Sequence, residues 1–350
     1  MPTPMPPPMA DDARAALEPR AVVPPSAAAR PKESPADRKV RTLNLCAVIV
    51  PFLGLMVAVW FSWGTMLDWV QVWIFTGMAV ATAAGITIGY HRLATHRSFE
   101  AVAPVRYLFL ALGSMAVQGP IFEWAGNHRR HHQHSDEAGD PHSPNVDASG
   151  TWRKGLKSTL AGLWHAHIGW LFQGHSKGLG RYIKDLQADP VMVAVNRQFQ
   201  LWVLAGLLLP ALLGGLITWS LTGALLGLLW GGLVRVFLVH HVTWSVNSVC
   251  HLWGTSPFRS QDHSRNNAIV GVLAMGEGWH NNHHAFPTSA RHGLRWWELD
   301  TSYLIIRTLS ILGLVRAIRL PTRAQLAAKK RTRAAAGDVN APALTDATVR

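Results

Sequence analysis

Residues 69–96 read WVQVWIFTGMAVATAAGITIGYHRLATH. From Trp69 to Tyr90 the stretch is apolar and, at about 20 residues, long enough to cross a hydrocarbon core roughly 30 Å thick. It runs directly into His91, and His96 follows five residues later. A membrane span that delivers histidines at its end sets the reading of everything around it. Two further clusters stand beside other apolar stretches: His128, His131 and His132 in HRRHH, and His280, His283 and His284 in HNNHH. Neutral imidazole is a common ligand for iron, zinc, copper and nickel. Eight imidazoles exceed what one tetrahedral or octahedral ion takes, so the clusters predict two metals.

Outward from that stretch, three more spans are expected at Leu43–Trp63, Leu201–Trp219 and Ala224 to about His241, with Pro51 bending the first. Residues 103–122 are apolar but interrupted by Gly113, Gly119 and Pro120, which suits a re-entrant or interfacial helix rather than a crossing. Leu304 to Ile318 repeats apolar residues at helical spacing beside Arg307, Arg316 and Arg319, an amphipathic helix pattern. Ten of the 21 prolines fall in residues 1–40, with no apolar centre of the kind a signal peptide has. Residues 1–40 and the basic, Ala-rich 322–350 are read as disordered tails around one membrane domain, 41–321. The two cysteines, Cys46 and Cys250, give no disulfide framework.

The formal charge is +13, and Trp occurs 16 times. Beside apolar spans, that balance points to an anionic membrane surface or a phosphate-bearing substrate rather than to nucleic acid. Tryptophan suits the membrane interface. The links near Asp68 and at Ser220–Thr222 carry no Lys or Arg, whereas the other connecting segments are basic. The positive-inside rule then places both termini and all three clusters in the cytoplasm. Arg235 lies inside the fourth span and is expected to snorkel to its nearby cytoplasmic end.

In HRRHH and HNNHH the histidines fall at i, i+3 and i+4, so three imidazoles are expected to point at one place. In HRLATH the i, i+5 spacing sets the rings apart on a regular helix. That pair straddles two metals, or the helix unwinds there. Asn247 and His251 are again i, i+4, just beyond the fourth apolar run, and His251 becomes a ninth ligand candidate. The other histidines (His134, His142, His165, His167, His175, His240, His241, His263 and His292) lack such a pattern and are read as hydrogen-bonded or supporting residues. An all-imidazole set suits Fe, Cu, Ni or Zn. Two adjacent irons would activate O2, and burial in a membrane suggests a lipid substrate. The residues alone reach a membrane enzyme with a dinuclear histidine-held metal site.

The ordered motifs HRLATHRSF, NHRRHHQHSDEAGDPH, TWSVNSVCHLWG and GEGWHNNHHAFP resemble the membrane fatty-acid desaturase family, closest to its acyl-CoA delta-9 branch in a bacterial form. The resemblance covers about residues 43–321. It implies an all-α integral membrane protein of the cell membrane, with four transmembrane helices and a cytoplasmic helical cap around a histidine-ligated di-iron site. It implies O2-dependent insertion of a cis double bond into a saturated acyl chain. The ligands to two Fe ions would be His91, His96, His128, His131, His132, His251, His280, His283 and His284, with Asn247 holding a water. Glu277 would orient ligand histidines. Gly126-Asn127 stands where animal acyl-CoA enzymes usually carry Arg-Asp, so the carrier stays open between CoA, acyl carrier protein and an intact lipid. Asn127, Lys177, Arg181 and Lys184 are the candidate substrate contacts. Electrons would come from a separate ferredoxin, rubredoxin or haem protein with its reductase. Two other readings compete: a di-iron hydroxylase or ketolase of an alkane, sterol or carotenoid, and a non-enzymatic haem or metal membrane protein.

Overall fold

The computed structural model describes residues 35–62, 68–173 and 178–331. The expected tails at 1–34 and 332–350 lie outside the described residues. The helices, in order, are α1 (Pro35–Ser62), α2 (Trp69–Thr95), α3 (Ala103–Ser114), α4 (Ile121–His134), α5 (Leu156–His167), α6 (Pro190–Arg197), α7 (Phe199–Thr218), α8 (Leu221–His251), α9 (Ala268–Leu273), α10 (His280–Ala285), α11 (Thr301–Ile311) and α12 (Arg323–Lys329), with single turns between them. Within α1, α2, α7 and α8 lie four stretches long and apolar enough to cross a membrane: Asp37–Phe61, Trp69–Thr95, Phe199–Thr218 and Leu221–His251. Their outward faces expose residues such as Trp60, Trp73 and Leu212, as lipid contact requires.

The helices begin and end differently from the apolar runs. α1 starts at Pro35, inside the expected tail. α2 and α8 continue past their apolar runs, and these extensions carry His91 on one and Asn247 and His251 on the other. Asp68 fixes the start of α2 by accepting hydrogen bonds from the N–H groups of Val70 and Gln71. The end of α2, Gly85–Thr95, is a π-helix. α3 packs directly against it, so closely that a Cβ on Gly89 would lie 2.6 Å from the Phe109 carbonyl oxygen. α3 is only 12 residues long, about 18 Å at 1.5 Å per residue, too short to cross a bilayer.

Arg235 does not snorkel. It is fully buried and donates to three backbone carbonyls: Gly231 (3.0 Å), Met115 (2.7 Å) and Gly206 (2.6 Å). The physical reason lies in the neighbours. Gly206 is four residues before Pro210 in α7, and proline has no N–H to give that carbonyl its helical partner. Met115 caps the C-terminal end of α3, where carbonyls are orphaned. His240, one turn further along α8, donates to the next two carbonyls, Ala116 (2.9 Å) and Val117 (3.0 Å). Gln118 then donates to Thr243 (2.9 Å). α8 thus pins residues 115–118, the turn that leads through Gly119 and Pro120 into α4 and its histidines.

Two other expectations change. The apolar period from Leu304 to Ile318 is not one helix: α11 stops at Ile311, and Val315–Arg316 forms a strand, β2, antiparallel to β1 (Glu100–Ala101). Residues 322–331 are not a tail. Thr322 and Gln325 form a capping box for α12, Phe258 bridges Lys330, and the N–H groups of Arg259 and Arg331 donate to the carbonyls of Lys329 and Pro257.

Candidate metal centre

All nine candidate histidines converge, in two groups. His91, His96, His128, His132 and His283 form one; His131, His251, His280 and His284 form the other. Each i, i+3, i+4 triplet is therefore split, and the expectation that three rings point at one place is corrected. On an α-helix i+4 lies about 40° to one side of i, and i+3 about 60° to the other. With two sites side by side, i and i+4 share one and i+3 reaches its neighbour. His91 and His96 behave otherwise because they sit at the end of the π-helix. His96 N–H donates to the His91 carbonyl across five residues (3.0 Å), which brings the rings to 4.7 Å and into the same group. The pair is not divided between the groups, and the helix is widened there into a π-helix.

The donor set fits metal ions. Nε2 atoms face one another at 2.9 Å (His91–His128), 3.1 Å (His96–His128), 2.9 Å (His132–His283) and 3.1 Å (His251–His280). The buried Nε2 atoms of His131 and His284 have no hydrogen-bond partner among the described residues. Burial, reinforced by neighbouring imidazoles, pushes His96, His128, His132, His280 and His283 well below the usual histidine pKa. They stay neutral at pH 7, the state that ligates.

The outer nitrogens explain the orientation of the rings. Nδ1 of His91 donates to Glu277 (2.5 Å), that of His131 to Asp140 (2.9 Å), that of His251 to Asp136 (3.1 Å) and that of His284 to Asp262 (2.5 Å). A carboxylate on Nδ1 fixes the tautomer and leaves Nε2 for a metal. Burial alone would raise these carboxyls. The imidazoles beside them override it, holding Asp140 at about 2 and Glu277 well below its ordinary value. Glu277 is also held by Arg92 (3.1 Å) and His292 (3.3 Å), and Arg92 bonds Asp300 (2.9 Å). Of these partners, sequence reasoning named Glu277 and, among the hydrogen-bonded or supporting histidines, His292. Asp136 and Asp140 were within reach, four and eight residues past His132, had each ligand been required to have a carboxylate. Asp262, Arg92 and Asp300 come from segments that only the fold brings together.

Two cavities meet at the histidines. One, about 250 Å³, runs among the spans past Phe75, Ala79, Leu238 and Val242 to His91, His128, His280 and Asn247. The other, about 110 Å³, is lined by Asn44, Gln118, Asn127, His142 and Trp170. They share Trp124, His128, Thr243 and Asn247. Trp124 stacks on His128 with ring centroids 5.2 Å apart. Of the expected substrate contacts, Asn127 lines the second cavity. Arg181, bonded to Tyr182, and Lys184 line neither, and Lys177 lies outside the described residues.

The sequence profile described as fatty acid desaturase matches residues 67–310. The chain belongs to the fatty acid desaturase family. It is 42% identical over 282 residues to a hex-5-enoyl-[acyl-carrier protein] acetylenase of Moorena producens, covering 81% of this chain and 87% of that one. It is 39% identical over 272 residues to an sn-1 stearoyl-lipid 9-desaturase of Synechocystis, covering 77% and 76%. It is 37% identical over 283 residues to an icosanoyl-CoA 5-desaturase of Limnanthes douglasii, covering 79% and 72%. Desaturases are oxidoreductases of lipid metabolism, and the helical membrane fold and paired histidine groups described above are those of this family.

Proposed function

We propose that this protein introduces a cis double bond into a saturated fatty acyl chain, at the delta-9 position, using O2 and two irons per chain. The observation that carries this is the junction of the two cavities: an apolar channel among the spans ends beside His91, His128 and His280. The nine histidines would hold the irons, and Asn247, one turn before His251, would hold a water. Bound there, the irons supply the redox chemistry with O2. This chain's own residues position the substrate. The apolar wall from Phe75 to Val242 takes the acyl tail, Trp124 closes the wall against His128, and the carboxylates fix the tautomers of the imidazoles they hold and keep their Nε2 atoms aimed inward. Orientation of this kind is a large part of catalysis by bound geometry. The basic connecting segments favour a cytoplasmic site.

Among the described residues, neither cavity is lined by Lys or Arg, the partners that CoA phosphates recruit. That favours an acyl ester of a glycerolipid over acyl-CoA as carrier, in keeping with the stearoyl-lipid relative. A second reading, dehydrogenation of a chain that is already unsaturated, is favoured by the likeness to an acetylenase. Expression in a desaturase-deficient host, with gas chromatography and double-bond location by lipid class, decides between them. A new cis-monounsaturated chain in glycerolipids, absent in His131→Ala, is expected. A triple bond supports the acetylenase reading, and a hydroxylated product overturns both.

A further inference from the structure

The apolar cavity among the spans is lined by two kinds of residue. Near the histidines the lining is shut in: Ile86 is 3% exposed, and Val239 and Ala274 are 4% exposed. Lining the cavity does not by itself expose a side chain. Farther from the histidines, Val80 on α2 is 51% exposed and Leu238 on α8 is 39% exposed, and both line the same cavity. Their open surface therefore lies on the outer face of the molecule, within two membrane spans. The cavity has a side mouth there.

The residues of α2 and α8 explain the mouth. Phe75 on α2 lines the cavity and stands edge-on to Trp230 on α8, with ring centroids 6.4 Å apart. That aromatic pair joins the two spans and closes the cavity at its far end. From this pair toward the histidines, α2 lines the cavity with Thr76, Ala79, Val80 and Ala83. Such short side chains leave the space between the two spans unfilled. At 1.5 Å per residue, Val80 precedes His91 by about 15 Å, and Leu238 precedes Asn247 by about 13 Å. A chain that runs away from the histidines therefore meets the aromatic pair and finds its way out sideways, between Val80 and Leu238.

We propose that this cavity is an open-ended passage: the methyl end of the acyl chain leaves it between Val80 and Leu238 and lies in the bilayer. The proposal rests on the desaturase reading for its substrate. Its consequence is a specificity. In a blind pocket every added methylene must be fitted, and one methylene is worth about 10- to 200-fold in discrimination. In a passage open to lipid, an added methylene stays among hydrocarbon on either side of the mouth, because lipid tails are as apolar as the leucines that line it. Added carbons then change little. The substrates are saturated chains of any length that reaches the mouth. The methyl end is not fixed, so the position of the new bond is counted from the carboxyl end.

The test is the product profile of the desaturase-deficient host fed saturated acids of 16, 18, 20 and 22 carbons, per chain incorporated. Wild type is expected to place the bond at one distance from the carboxyl end in all four, with yields within a few-fold. The double variant Val80→Trp/Leu238→Trp fills the mouth and should lower the yield from 22 carbons relative to 16 by about tenfold or more. Val80→Phe makes a smaller change in the same direction, should the double variant not fold. A control on the outer face of α7, Leu212→Trp, should leave that ratio unchanged. A wild-type cut-off at 18 carbons, a bond counted from the methyl end, or a ratio that the mouth variants leave unchanged each overturns the proposal. A second readout needs no turnover. The full chain in nanodiscs, without an electron donor, is photolysed with phosphatidylglycerol whose 22-carbon chain carries a mid-chain diazirine. Label on Ile86 or Val239, both buried, reports a chain inside the cavity, and the mouth variant should lose it relative to a 16-carbon lipid. No label there in wild type overturns the proposal. Label that depends on the mouth, in a chain that makes no unsaturated product of any length, supports the passage and overturns the desaturase reading instead.

Discussion

Asp140 and Asp262 show what single residues contribute at this site. Each accepts from the Nδ1 of one histidine whose inner nitrogen lacks any partner among the described residues. Asp140→Asn and Asp262→Asn should each lower metal affinity by about 10- to 100-fold. Retention of iron against a chelator, chain by chain, measures this. Affinity equal to wild type would mean that the carboxylates do not orient the rings. The residues between the histidines have jobs of their own. Arg129 bonds Asp185 and the Ala94 and Thr95 carbonyls at the end of α2, and Asn282 bonds the His292 carbonyl and Glu298. The box sequences are therefore ligands interleaved with braces, and only the ligands were legible as chemistry.

At the scale of elements, the fourth span does more than cross a membrane. Arg235 supplies donors to carbonyls that Pro210 and the end of α3 leave unpaired. Leaving two such buried groups unsatisfied costs about 2–6 kcal/mol, so Arg235→Met should lower the unfolding temperature markedly in detergent. Pro210→Ala returns an N–H to Gly206, and in that background the same substitution should cost less. Equal losses in both backgrounds would show that Arg235 is not filling the gap left by the proline. The π-helical end of α2 is a comparable case. Its i, i+5 histidine pair looks mismatched on an α-helix, and the close approach of α3 accompanies the wider turn that unites the rings.

For the molecule as a whole, the apolar cavity and the buried imidazoles each make a prediction. Ala79 lines the cavity between Phe75 and Ile86, and Ala79→Phe should shift the products toward shorter acyl chains. An unchanged chain-length profile by gas chromatography would remove this cavity as the acyl site. The five depressed histidines set the response of the metal-free protein to acid. Their folded pKa lies below the ordinary 6.5, so below that pH the unfolded chain binds protons that the folded one refuses. Their contribution to stability is complete above about pH 6.5 and falls as pH drops beneath it. The paired carboxylates act in a separate, lower window, between the ordinary carboxyl value and about 2 for Asp140. His251 has the opposite sign: against burial, Asp136 holds it at about 9, so its contribution is present at pH 7 and is lost as pH rises through that value. Unfolding temperature against pH should therefore decline from pH 7 toward pH 5, with a separate fall as pH approaches 9. A profile flat down to pH 5 would mean that the histidines are not buried as neutral groups.

The sequence by itself determined the spans, the nine histidines and the family. Hydropathy over about 20 residues and short ordered motifs are local properties, and each can be read without knowing what lies opposite. Tertiary structure alone decided how each triplet divides, why Arg235 stays buried, and which carboxylates hold which rings. It also decided that residues 322–331 form a strap over the site rather than a tail. Those outcomes depend on partners from distant segments: His283 beside His132, Arg235 beside Gly206, Lys329 beside Ala285. A hydrogen bond or a shared coordination site is a relation between two places, and the sequence records only one of them at a time.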